Sequence, residues 1–343
     1  MSAMLDAGPA RHLAAAQDAE PSPGRSCPLH YRYRPEAMAC EAAEPWQALD
    51  VLYVVGGLYG NELALQRVLA LFEREQGRKR LVFNGDFHWF DAAPAVFARI
   101  QQAVLAHGAL RGNVETELAA PDEAGEAGCG CAYPSWVEDG VVERSNRILA
   151  RLKQAASPAQ QAELAALPMW LRADVGPLRL GIVHGDASSL AGWGFAQEHL
   201  REAAHRAQAA QWLDRAQVDA FACSHTCLPV FQALPGRAED PPGVARWVLN
   251  NGAAGMPNFE GDAAGLLTRI ARSPYPGPER RYGVALGAGV QAEALALEVD
   301  SAEWQSRFLG QWPPGSDAHR SYFSRLQQGP RYSPAQAVRP LGA

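Results

Sequence analysis

Val51–Val55 is an unbroken apolar run, the pattern of a strand buried on both faces. Asn61 then opens a helical periodicity: Leu63, Leu65, Val68, Leu69 and Leu71 fall on one side of a helix reaching about Glu75. Leu81–Phe83 predicts the next strand, Ala93–His107 the next helix, and Leu110 leads a short strand into Gly112. This alternation of strand and helix predicts an α/β fold with a mainly parallel sheet. Two further helices are expected over Ser145–Ala155 and Pro158–Ala166.

Beyond them strand patterns dominate: Trp170–Val175, Leu178–Val183, Ala220–Cys223, Pro229–Ala233, Ala245–Leu249, Leu266–Ala271 and Ala294–Val299. A long helix over about Gly194–Arg215 interrupts them, and Gly176-Pro177 makes a turn. Residues 117–142 are rich in Gly, acid and Cys and read as a long loop, a feature that in a compact domain usually carries function. Residues 1–46 read as an irregular arm, within which Cys27–Arg34 is aromatic enough to pack on the domain. A single domain over 47–300 is expected, followed by an extension over 301–343 with a helix around Ala318–Gln328.

Composition narrows the classes. The chain has 343 residues, 48% hydrophobic, enough for one large domain with a substantial core. A net charge of −6 gives no nucleic-acid footprint. No apolar run spans a bilayer, and Arg11 and His12 are not followed by an apolar segment, so a cytoplasmic protein without a membrane partner is the expectation. The cysteines (Cys27, Cys40, Cys129, Cys131, Cys223 and Cys227) read as thiols or metal ligands rather than disulfides.

Five short motifs follow apolar strand-like runs in order: Gly-Gly-Leu-Tyr-Gly-Asn at 56–61, Asn-Gly-Asp at 84–86, Gly-Asn-Val-Glu at 112–115, His-Gly-Asp at 184–186 and Ser-His-Thr-Cys at 224–227. In this order the chain resembles the calcineurin-like metallophosphoesterases, whose motifs run D-x-H-G-N, G-D, G-N-H-E/D, H-G and G-H-x-H. Asn250–Gly255 resembles a late N-x-G-S segment of the same family. The resemblance implies a four-layer α/β/β/α sandwich with its site at the strand ends.

The resemblance also implies a ligand set. Asp86 matches the metal-bridging carboxylate, and Asn113, His184 and His225 match the other ligands of the second metal. The first metal's private ligand positions hold Gly57, Tyr59 and Cys227 instead. Gly57 offers only backbone, Tyr59 would ligate only as a phenolate, and Cys227 can ligate as a thiolate. Val114 stands where the family has a histidine. The losses fall on one metal and spare the other, so a single-metal site is expected, holding Mn, Zn or Fe; a second ion would need Cys227 and other thiolates.

The implied function is metal-dependent hydrolysis of a phosphate mono- or diester, with a small-molecule or nucleotide phosphate ester as partner. A bound divalent ion would supply Lewis acidity and lower the pKa of water. His88, two residues after Asp86, is the first candidate for proton transfer, and Arg111 for neutralising phosphate charge. Asp186 is a candidate for orienting an imidazole. Cys27-x-x-His30 with Cys129 and Cys131 is a possible structural zinc set. The alternative is a catalytically inactive member of the fold that binds a ligand or partner.

Overall fold

The computed structural model describes residues 23–25, 27–40, 46–120, 128–237, 239–240 and 244–341. Most of the expected 1–46 arm and the 121–127 part of the expected loop lie outside the described residues.

Two sheets face each other. One runs in the order β1 (Trp46–Leu49), β5 (Trp170–Val175), β6 (Leu178–Val183), β7 (Ala220–Cys223), β9 (Ala245–Asn250), β8 (Val230–Pro235), β13 (Val338–Arg339). The other runs β11 (Arg280–Gly287), β12 (Val290–Leu297), β10 (Gly265–Ala271), β2 (Val51–Val55), β3 (Lys79–Asn84), β4 (Gly108–Leu110). Strand alternation divides the core. Leu52 and Val54 point inward, where they share a cluster with Leu180, Ile182, Ala222 and Leu249 of the facing sheet. Val51, Tyr53 and Val55 point outward, under a helical layer.

That layer contains α2 (Glu62–Arg74), α3 (Pro94–Leu105), α4 (Asn113–Ala119), α5 (Asp139–Lys153), α6 (Pro158–Ala165), α8 (Ser301–Gln311) and α9 (Asp317–Gln328). On the opposite face, α1 (Ala37–Cys40) and α7 (Ala203–Ala216) cover β7, β8 and β9. The molecule is therefore a four-layer α/β/β/α sandwich. A short α10 (Pro334–Ala337) precedes β13. Among the described residues no helix is long and apolar enough to cross a membrane.

Local chemistry explains the helix starts. The Asn61 side chain accepts the Ala64 N–H at the head of α2, and Ser157 with Pro158 opens α6. The helix expected over 194–215 begins late, at Ala203, after a 3₁₀ turn at His199–Arg201. Asp186 is the reason: its carboxylate accepts the N–H groups of Ser188, Ser189 and Gly194, which holds 186–194 as a compact loop. The 301–341 segment is built into the body, with Trp304, Phe308, Trp312, Tyr322 and Leu326 buried in the outer core.

Parallel pairing puts the functional loops at one edge. Strands β2, β3 and β4 are mutually parallel, as are β6, β7 and β9. Their C-terminal ends converge, the usual place for a site in such sheets. Asn84 ties the two sheets together there, donating from Nδ2 to the Val183 carbonyl at 3.2 Å.

Candidate metal centre

Each ligand-type side chain is aimed by a strand end. Asp86 follows β3 through Gly85, whose φ of +91° favours glycine; Asp86 itself holds φ +52°. The turn is pinned by Glu115, fully buried, whose carboxylate accepts the N–H groups of Asp86, Phe87, His88 and Gly112. Asn113 is the first residue of α4. His184 and His225 immediately follow β6 and β7, except for Ser224 between β7 and His225.

The four side chains meet as acceptors. His184 Nδ1 donates to the Asn84 carbonyl at 2.9 Å, leaving the Nε2 lone pair free in the neutral ring. His225 Nε2 donates to the Cys131 carbonyl at 3.2 Å, leaving Nδ1. Asn113 Nδ2 donates to the Cys129 carbonyl at 2.8 Å, leaving Oδ1. These assignments follow from the hydrogen-bond network. The remaining acceptors crowd around His184 Nε2: His225 Nδ1 at 3.1 Å, Asn113 Oδ1 at 3.2 Å and Asp86 Oδ1 at 3.3 Å. With both rings neutral, no proton stands between them. Buried lone pairs facing one another need a cation. Asp86, His184 and His225 also form a group whose ligand atoms lie within 4.8 Å of one another. The O, O, N, N donor set suits a divalent transition metal.

The two rings differ in titration. For His184, burial opposes charge, but the Asp86 carboxylate outweighs it and the pKa is raised. For His225, burial and then its neighbour His184 push the pKa down to about 3.

The first-ligand positions are arranged differently. The Tyr59 hydroxyl lies 2.7 Å from the Cys227 sulfur. Burial, followed by the neighbouring Cys227 and Asp86, pushes the Tyr59 phenol well above its usual range; burial also raises Cys227. Both groups are therefore neutral, and Cys227 is not brought into the ligand cluster. Cys129 and Cys131 serve mainly through their carbonyls, although Asn113 Nδ2 also reaches Cys131 Sγ at 3.3 Å. Cys223 faces the α7 side of its sheet. Among the described residues, the cysteines do not join a second group of ligand atoms.

Several expected roles have no geometric support. His88 is fully buried, stacked on Phe97 with centroids 3.6 Å apart and paired through Nδ1 with Asp91. It faces the α3 layer rather than the cleft, because the Glu115 cradle turns the chain at 86–88. Arg111 lies off the cleft, its guanidinium donating to the Ala165 carbonyl at 3.4 Å. Asp186 orients its own loop rather than an imidazole. Cys27 pairs with Ser189 and His30 is exposed, so the Cys₃His zinc set is not assembled.

A narrow cleft opens over the cluster. Asp86, His225, Tyr59 and Cys227 line it together with Trp89, Val114, Tyr133, Trp193 and Tyr322. Its open space is about 30 Å³, room for roughly two water molecules. The lid is the Cys129–Cys131 turn with Trp193, whose indole N–H donates to the Cys131 carbonyl at 3.0 Å. Sequence reasoning did not find Glu115, Tyr133, Trp193 or Tyr322. Only Glu115 carried a signal, as the last residue of the Gly-Asn-Val-Glu motif.

No family model matches the sequence, and no curated protein matches it significantly. Among solved structures, the chain is similar to a metallophosphoesterase from Sphaerobacter thermophilus at 15% identity and a TM-score of 0.52, over 81% of this chain and 99% of that one. It is also similar to a hypothetical protein from Pyrococcus horikoshii OT3 at 12% identity and a TM-score of 0.54, over 82% and 99%. At such identities the likeness shows the fold alone: this chain folds as these two proteins, one of them a metallophosphoesterase, do.

Proposed function

We propose that the protein is a metal-dependent phosphoesterase working with one divalent ion, held by Asp86, Asn113, His184 and His225. The observation that carries this reading is the convergence of four buried acceptors: the Asp86 carboxylate and three side chains, Asn113, His184 and His225, whose N–H groups are donated elsewhere. Mn, Zn or Fe fits the donor set. When bound, such an ion polarises a phosphoryl group and supplies hydroxide at neutral pH. The protein's part is to fix the ligands: the Asn84 and Cys131 carbonyls set the two imidazole tautomers, and Glu115 sets the turn that carries Asp86. The substrate is a small-molecule or nucleotide phosphate ester.

A second reading has its own support. A cleft of about 30 Å³ does not admit an ester unless Trp193 and the Cys129–Cys131 turn move. A metal-holding scaffold that binds a ligand or partner without turnover would need no such movement.

Metal content by elemental mass spectrometry, together with a phosphoesterase substrate screen, separates the readings. The wild-type chain is expected to carry about one transition metal, and Asp86→Ala and His184→Ala to lose both metal and turnover. Metal without turnover on any ester would favour the scaffold. Absence of metal after loading with Mn, Zn and Fe would end the hydrolase reading.

A further inference from the structure

The positions that lack first-metal ligands are filled by a built arrangement. Gly57 has no side chain where the Tyr59 ring lies: a Cβ placed on Gly57 would stand 2.8–3.0 Å from Tyr59 Cε2, Cζ and the hydroxyl. The glycine and the tyrosine are therefore one substitution in space. Cys227 completes it. Its thiol donates to the His225 carbonyl at 3.3 Å, leaving the sulfur to accept from the Tyr59 hydroxyl. Arg325, fully buried on α9, donates to the Cys227 carbonyl at 2.8 Å and to the Pro257 carbonyl at 3.0 Å.

Backbone strain is concentrated here. Among the described residues, seven other than glycine have positive φ, and three of them are Tyr59 at +52°, Asp86 at +52° and Cys227 at +61°. Such conformations cost on the order of 1–3 kcal/mol each and persist where surrounding contacts over-determine them. They also concentrate at ligand sites.

We propose that the Tyr59 hydroxyl is an oxyanion donor, taking over at this cleft the contact to a phosphoryl oxygen that a second cation would otherwise make, with Cys227 and Arg325 positioning it. The inference rests on the phosphoesterase reading for the identity of its ligand. Among the described residues no Lys or Arg lines the cleft, so charge there must be met by the metal centre and by neutral donors. Among the other hydroxyl and indole groups of the lining, the Trp193 indole donates to the Cys131 carbonyl and the Tyr133 hydroxyl is paired with Ser145, whereas Tyr59 is the one set against the Cys227 sulfur. Tyr59 rests on a sulfur, a weak acceptor that gives up the proton readily to an anionic oxygen.

The test is calorimetric titration of inorganic phosphate into the metal-loaded full chain, wild type against Tyr59→Phe, with metal content and melting temperature measured on both. Tyr59→Phe is expected to keep its metal and its melting temperature and to bind phosphate about tenfold or more weakly, as for loss of a hydrogen bond to a charged group. Equal phosphate affinity in the two proteins, or a wild type that binds no phosphate, overturns the proposal. Should Tyr59→Phe be unstable, Cys227→Ser decides. A serine oxygen competes better for the phenol proton, so phosphate affinity must fall; an unchanged affinity overturns the proposal. The two readings fail separately. Metal lost in Asp86→Ala, with phosphate affinity unmoved in Tyr59→Phe, sinks the donor and leaves the metal site. A chain without metal whose phosphate affinity still drops in Tyr59→Phe does the reverse.

Discussion

Each residue of the cluster is defined by what its other atoms do. His184 and His225 are chemically identical side chains with opposite titration, because the Asp86 carboxylate outweighs burial at His184, whereas burial and then His184 hold His225 down. This gives the metal-free protein a two-sided pH dependence. An unfolded histidine takes a proton near pH 6.5. Buried His225 refuses it until about pH 3, so between these values the unfolded state binds more protons and stability falls as pH falls. His184 is shifted the other way. Its contribution is fully present below about pH 6.5 and is lost as pH rises through its raised folded value. The part of the chelated protein's stability owed to these two rings, read by urea unfolding as the difference from a His184→Gln/His225→Gln double variant, should therefore be largest near pH 6.5, with each limb no steeper than about 1.4 kcal/mol per pH unit per group. Metal loading should flatten both limbs, since ligation fixes both rings neutral. A difference that rises steadily from about pH 4 to about pH 8 would contradict the assignment. Asp86, His184 and His225 were legible from their motifs because each follows an apolar strand in the right order. The displacement of His88 was not, because it depends on Glu115 drawing three successive N–H groups toward itself.

Among the elements, the lid decides what the site admits. The Cys129–Cys131 turn gives its two carbonyls to Asn113 and His225, so the segment that closes the cleft also orients two ligands. Trp193 leans on the same carbonyl and stands 5.6 Å from the His225 ring. Trp193→Ala should widen the cleft while leaving all four ligand side chains in place. Under the hydrolase reading, kcat/KM for bulky aromatic phosphate esters should rise relative to small ones, measured as a ratio across a substrate series. A ratio that does not change would mean that Trp193 is not the barrier. Element prediction failed where polarity hid the signal. The sequence Arg280–Gly287 lacks a clean apolar alternation, and it becomes a strand because it pairs along β12 at the sheet edge. The helix at Ser301–Gln311 was overlooked although Asp300 caps it, accepting the N–H groups of Ala302 and Glu303.

At the scale of the whole molecule, the C-terminal segment is structural. It was expected as an extension, yet Trp304, Phe308, Trp312, Tyr322 and Leu326 are all buried, and Arg325 reaches the Cys227 turn. Burying a large apolar side chain contributes roughly 1.5–3 kcal/mol. Five of them approach or exceed the ~5–15 kcal/mol by which a domain is stable. Truncation after Asp300 should therefore abolish cooperative unfolding, as followed by circular dichroism on heating. A truncated chain that melts cooperatively would show the segment to be dispensable.

The sequence alone determined an α/β alternation, most of its strands and helices, and the ligand-type residues that follow the strands; the four-layer sandwich came only as what the family resemblance implied. These are local properties: apolar runs, capping residues and short motifs act over a few neighbouring positions. The tertiary structure decided which lone pairs meet, that Tyr59 fills the space beside Gly57, and that a tyrosine from residue 322 and a tryptophan from residue 193 wall the same cleft. Those facts depend on contacts between segments far apart in the chain, made only when the two sheets close on each other.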